Sequence, residues 1–132
     1  ENVKPYLEFR KKLLMELHEN GVPIIMSSDS PQVFNVPGFS IHHELSSLAD
    51  AGMSNYEILK SGSWNVAKYF EKEGEFGQII PGASADFVLL SSNPLESLEA
   101  LKEIQSIMVR GEWIQKDKLD AELERIEKSF QT

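Results

Sequence analysis

The sequence predicts an α/β fold in which an amphipathic helix hands the chain to a buried parallel strand that ends in a carboxylate. Three observations predict it. Gly21-Val22-Pro23-Ile24-Ile25-Met26-Ser27-Ser28-Asp29-Ser30-Pro31 is an apolar run of strand length that closes in small polar residues, a single acid and a proline. Apolar residues at helical spacing precede it and stop at Asn20-Gly21. The run is apolar throughout rather than alternating, which suits a parallel strand covered on both faces. This order puts an acid at the C-terminal end of a strand, the place where the loops of a βα-barrel open and substrate is reached.

Size and charge narrow the classes. The chain has 132 residues, enough for a real core. It is shorter than a complete eight-stranded barrel, which runs to roughly 250 residues, so the barrel is expected to be incomplete in this chain. Hydrophobic content of 41% and charged content of 26% are globular values. A formal charge of −8 argues against nucleic acid or an anionic membrane as partner. There is no cysteine, hence no disulfide, thiolate ligand or thiol nucleophile. No apolar run approaches the ~18 residues of a spanning helix. The start, Glu1-Asn2-Val3-Lys4-Pro5, has neither Met nor the pattern of a signal peptide, so an internal point of a longer, cytoplasmic protein is expected.

The elements follow in order. Pro5 suits a first helical turn. Tyr6, Phe9, Leu13 and Leu17, with Leu14 beside them, predict a first, amphipathic helix. The strand Val22–Ser27 follows. Ser30 to Ser40, with Pro31, Asn35, Pro37 and Gly38, predicts a loop. Ile41, Leu45, Leu48 and Ala49 predict a second helix that stops at Gly52. Ser54-Asn55-Tyr56-Glu57 is a capping box opening a third, with Ile58 and Leu59 inward. Gly62-Ser63 interrupts it, and Trp64 to Phe70 continues helical.

After that the character changes. Phe76–Ile80 predicts a short strand, Pro81-Gly82 a turn, and Ala85–Leu90 a second strand. Asn93-Pro94 ends that strand, and Leu95, Leu98, Leu101 and Ile104 predict a short helix. Ile107 to Ile114 predicts two β segments around a tight turn. Asp117 is the expected N-cap of a final helix whose apolar stripe is Leu119, Leu123, Ile126 and Phe130. The organisation expected is therefore 1–74, 75–116 and 117–132.

Several of these segments also carry a resemblance, in order along almost the whole chain. Ser28-Asp29 after the apolar run resembles a last barrel strand with its metal-site aspartate. Ser40-Ile41-His42-His43-Glu44-Leu45 followed by Ala51-Gly52-Met53-Ser54, then Asn65-Val66-Ala67, then Gly77-Gln78-Ile79-Ile80-Pro81-Gly82-Ala83-Ser84-Ala85-Asp86, then Asn93-Pro94-Leu95 and Val109-Arg110-Gly111 complete the pattern. Together they resemble the C-terminal part of metal-dependent amidohydrolases, in the imidazolonepropionase-like and prolidase-like branch of that superfamily.

The resemblance implies a distorted (β/α)8 barrel plus a small composite β-sandwich. Residues 1–74 would belong to the barrel, 75–116 to the sandwich, and 117–132 would form a C-terminal helix. It implies one or two divalent metals, commonly zinc, at the barrel mouth. The family's ligands include a His-x-His pair, a lysine or glutamate, two later histidines and the aspartate of the last strand. Only the aspartate has a counterpart here, Asp29. The three histidines, His18, His42 and His43, do not fall at strand ends.

Each candidate has a plain reading beside the functional one. Asp29 is either a turn or N-cap residue bonded to local N–H groups, or the metal-binding and catalytic acid. His42 is either a first-turn helix residue or a substrate contact near the barrel mouth. His43 reads as exposed, and His18 as a partner of its helix's C-terminal carbonyls. Asp86 reads as a structural turn residue. Phe34 and Asn35 read as surface loop or as substrate contacts.

The function expected is part of a metal-dependent hydrolase that cleaves a C–N bond in a small cyclic or peptide-like amide by metal-activated water, inactive as this chain alone. The alternative is a non-catalytic structural or interaction module that keeps the same architecture. The expected partners are a small amide substrate and either the missing N-terminal half or further copies of the chain, since open strand edges and apolar faces invite association.

Overall fold

A computed structural model describes residues 3–131 of the chain. The residues divide into two compact units that meet between Glu73 and Gly74. No helix among the described residues is long and apolar enough to cross a membrane.

The first unit is helical. Helix α1 spans Lys4–Glu19, with Pro5 in its first turn. Asn20 closes it, its side-chain amide donating to the Glu16 carbonyl at 2.7 Å. Helix α2 spans Ile41–Ala51, α3 spans Asn55–Ser61 and α4 spans Trp64–Tyr69. Each packs on the next in chain order.

The break between α2 and α3 is set by local chemistry. Gly52 has φ +113°, its N–H donates to the Ala49 carbonyl at 2.9 Å, and the Met53 N–H donates to the Leu48 carbonyl at 3.2 Å. This is a Schellman cap, whose left-handed residue glycine fills without a Cβ penalty. Its usual hydrophobic contact is present in kind, for Met53 and Leu48 are both buried. Ser54 then opens α3, its Oγ accepting the Glu57 N–H at 3.3 Å. The expected capping box is only half formed, because the Glu57 carboxylate lies instead 3.5 Å from Lys60 Nζ.

Leu45, Leu48, Met53, Ile58 and Ala67 form the buried core of this unit. Ile58 and Ala67 are wholly inaccessible to solvent. Burying an isoleucine fully is worth about 1.5–3 kcal/mol. Ser61 is equally buried and is satisfied locally, its Oγ donating to the Ile58 carbonyl at 2.6 Å.

The expected first helix forms, with its stripe Tyr6, Phe9, Leu13 and Leu17 61, 61, 47 and 39% exposed. Helix α1 meets α2 through a neighbouring face, with Leu14, Met15 and His18 half-buried and Met15 beside Gly52. Periodicity identifies an apolar face but not the element that will cover it. One expectation fails in this unit: Val22–Ser27 forms no strand. A parallel strand is defined by hydrogen-bonded neighbours, and among the described residues it has none. Helical residues take up some of its backbone groups instead. The Met26 N–H donates to the Ser61 carbonyl at 3.1 Å, and the Asn65 side-chain amide donates to the Ile24 carbonyl at 2.8 Å.

The second unit is a three-stranded antiparallel sheet with a helix packed on it. Strand β1 spans Phe87–Leu90, β2 spans Ile104–Val109 and β3 spans Glu112–Gln115, in the order β1-β2-β3. Phe87, Met108 and Trp113 stand in one cross-strand row, and Val88, Ile107 and Ile114 in the next. The Phe87 and Trp113 ring centroids are 6.0 Å apart. A 3-10 helix, Leu98–Lys102, connects β1 to β2 and buries Ala100. Helix α5, Lys116–Ser129, packs on β2 and β3.

The expected pair of β segments around a tight turn is β2 and β3. The other β expectations change. Phe76–Ile80 forms no strand, although the turn after it closes as expected, with the Ala83 N–H on the Ile80 carbonyl at 3.2 Å. Strand β1 begins two residues later than expected, because Ala85 and Asp86 bond to the β2–β3 turn rather than to the ladder. Helix α5 begins at Lys116 with Gln115 as N-cap, so Asp117 lies in the first turn, where a carboxylate still faces the positive end of the helix. Of its expected stripe, Leu119 is half-buried while Leu123, Ile126 and Phe130 are exposed.

Candidate functional site

Asp29 lies just past the apolar run, in a loop that leads to α2, and not at the end of a strand, since Val22–Ser27 forms none. Its backbone takes φ +54°, a left-handed conformation that aspartate tolerates better than most side chains. Its N–H donates to Ser27 Oγ at 3.3 Å. The Gln32 side-chain amide donates to Asp29 Oδ2. The carboxylate is exposed. Ser28 Oγ donates to Ser30 Oγ at 3.0 Å beside it.

The rest of the loop is held by its own backbone. The Asn35 N–H donates to the Gln32 carbonyl at 2.9 Å, and these two residues form an isolated β-bridge. Ser40, buried at the start of α2, accepts the Val36 N–H on its Oγ at 2.7 Å. Between these ties Phe34 projects, 94% exposed at φ +68°. Asn35 is half-buried.

His42 lies in the first turn of α2 and is half-buried. Its N–H donates to the Phe39 carbonyl at 3.2 Å, and its carbonyl accepts Ser46 Oγ at 3.0 Å. No hydrogen bond joins it to Asp29. His43 is exposed, as expected. His18 is in the last turn of α1, the position from which a histidine meets the helix's terminal carbonyls. It also lines a cavity of about 270 Å3 with Val22, Ile24, Lys60, Trp64 and Asn65. Neither Asp29 nor His42 lines that cavity.

The donor set does not fit a metal by itself. A catalytic zinc takes three protein ligands, and no group of three or more His, Asp or Glu side chains suited to a metal occurs among the described residues. Asp29 is one carboxylate with one of its oxygens already bonded to an amide.

Two acids of the second unit, Asp86 and Glu103, are held by local hydrogen bonds. Asp86 accepts Ser84 Oγ at 2.5 Å and the Arg110 N–H at 2.6 Å. The Ser84 bond first, and the Arg110 bond after it, hold its carboxyl below the ordinary value. Glu103 is likewise lowered, by Ser91 Oγ and then Ser92 Oγ. Two contacts in the first unit were not legible in the sequence. Asn65 was visible only as part of an Asn-x-Ala pattern, with nothing to pair it with Ile24. Gln32 carried no signal beyond its place three residues after Asp29.

The profile of the amidohydrolase family matches residues 8–114, most of the chain. The chain belongs to the amidohydrolase family. Among solved structures it is similar to an amidohydrolase, with 28% identity and a TM-score of 0.53 over 57% of this chain and 19% of that one. It is also similar to a Xaa-Pro dipeptidase with methionine in its active site, with 22% identity and a TM-score of 0.68 over 80% of this chain and 25% of that one. A third is a molinate hydrolase, with 21% identity and a TM-score of 0.60 over 73% of this chain and 24% of that one. The latter two likenesses concern the fold. The chain spans a quarter or less of the length of each of these proteins. No curated protein matches it. Members of this family generally use a divalent metal.

Proposed function

We propose that this chain is the C-terminal portion of a cytoplasmic amidohydrolase that cleaves a C–N bond in a small cyclic or peptide-like amide. In this reading residues 1–74 complete a (β/α)8 barrel, 75–116 contribute to a composite β-sandwich, and 117–132 form the closing helix. Val22–Ser27 becomes a barrel strand once parallel neighbours are present on its edges. The carrying observation is the family match over residues 8–114, which includes Asp29 in its exposed loop.

Asp29 is the residue given the chemical role. As water adds to the amide carbonyl carbon, its carboxylate takes one of the water's protons. As the tetrahedral intermediate collapses and the C–N bond breaks, the same proton passes to the leaving nitrogen. Asp29 is also this chain's single contribution to a divalent-metal site, zinc being the expected ion. The other ligands lie outside the described residues. His42 is the proposed substrate contact, from the helix that follows the Asp29 loop.

The test is Asp29→Asn in the whole protein, assayed on a panel of Xaa-Pro dipeptides and N-acyl amino acids. The amide is nearly isosteric and cannot take the proton. A loss in kcat of about 100-fold or more is expected, with an unchanged circular dichroism spectrum. A variant that keeps most of its kcat removes Asp29 from the proton transfer.

A further inference from the structure

We propose that Gln32 is a positioning residue for Asp29, holding one carboxylate oxygen so that the other faces the reacting groups. The inference rests on the reading that Asp29 moves the proton. A carboxylate on a loop has two free side-chain rotors and two equivalent oxygens, so a hydrogen bond to one oxygen narrows the orientations open to the other before any ligand or substrate is met. Gln32 supplies that bond, its amide donating to Oδ2. The remaining oxygen, Oδ1, has no hydrogen-bond partner among the described residues.

Both ends of this contact are themselves held. On the Asp29 side, the left-handed backbone and the bond from its N–H to Ser27 Oγ set where the side chain leaves the chain. On the Gln32 side, the Asn35 N–H on the Gln32 carbonyl and the bridge between these residues fix the backbone that carries the amide. An amide neither takes nor gives up a proton in this range, so Gln32 acts through geometry alone. Orientation is a recognised contribution to rate, because a misplaced group meets its partner less often in a reactive arrangement.

The experiment is a double-mutant cycle in the whole protein, with Gln32→Ala, Gln32→Glu, Asp29→Asn and Asp29→Asn/Gln32→Ala. Kinetics are read on the fastest-cleaved member of the same dipeptide and N-acyl amino acid panel. Gln32→Ala is expected to lower kcat about tenfold, the scale of one hydrogen bond, and to leave KM within about twofold. Gln32→Glu keeps the size but replaces the donor with an acceptor, and is expected to lose at least as much. In the Asp29→Asn background, Gln32→Ala is expected to cost nothing further.

An independent reading comes from the side-chain amide protons of Gln32 by NMR, which are expected to shift in Asp29→Asn. Unchanged kcat in Gln32→Ala, beside a collapsed Asp29→Asn, overturns the positioning role and leaves the acid in place. An equal loss in both backgrounds makes Gln32 a structural residue and also overturns it. Unshifted amide protons mean that the contact is absent. If Gln32→Ala does not fold, Gln32→Glu and the amide shift decide. A wild-type-like Asp29→Asn, or a panel that the wild type does not cleave, sinks the underlying reading and this inference with it.

Discussion

The carboxylate of Asp86 accepts the backbone N–H of Arg110 at 2.6 Å, tying the start of β1 to the turn between β2 and β3. The turn needs such a partner. Val109 pairs with Glu112, so Arg110 and Gly111 are the two loop residues, at φ +50° and +83°. These are the signs of a type I′ hairpin turn, which glycine adopts freely and arginine does not. The Gly111 N–H donates to the Ala85 carbonyl at 3.1 Å, so the loop is held by the two consecutive residues that precede β1. Asp86 therefore has a structural task.

That task sets a pH dependence. The folded Asp86 carboxyl lies below its ordinary value of 3.8, so the ionised form is favoured by folding. Its contribution to stability is fully present above 3.8 and is lost as pH falls through the lower, folded value. The Arg110 amide resonance is expected to titrate below pH 3.8. Asp86→Asn is expected to abolish that titration and to speed hydrogen exchange at Arg110. A flat Arg110 resonance down to acid unfolding counts against the tie.

Gly52→Ala tests the joint between α2 and α3. An added Cβ meets only the Met15 side chain, at 3.7 Å, which is ordinary contact. The penalty is then conformational, arising from φ +113°. A loss of about 1–2 kcal/mol is expected by urea denaturation. A neutral result means that the cap can relax to a right-handed ending.

Metal analysis tests the donor set. With no cluster of three ligands among the described residues, the purified 132-residue chain is expected to retain well under one zinc per chain after dialysis. Stoichiometric zinc means that a site was assembled from residues not recognised as ligands.

Association follows from the face of α1. Tyr6, Phe9, Leu13 and Leu17 run along one helix and all are exposed. Apolar area of that kind usually becomes an interface. The proposal is that a complementary segment or another copy covers it. Light scattering of the 132-residue chain at micromolar concentration is expected to show an oligomer, and an apolar dye is expected to bind any monomer. A monodisperse 14.9 kDa species without dye binding contradicts it.

The sequence by itself determined the features whose causes lie within a few residues. The helix break at Ala51-Gly52-Met53-Ser54, the paired β segments around Arg110-Gly111 and the turn at Pro81-Gly82 were all legible. Each follows from a cap, a turn preference or a chain-breaking residue acting on its neighbours. Tertiary structure decided what depends on distant partners. Val22–Ser27 reads as a strand, yet strand pairing needs neighbours from far along the chain, and Ser61 and Asn65 take some of its backbone groups instead. The apolar stripe of α1 reads as helical, but what covers it does not, and α2 meets the adjacent face. The Asp29–Gln32 bond spans only three residues, but it depends on a left-handed backbone at Asp29 and a bridge at Asn35, which side-chain identity alone does not specify.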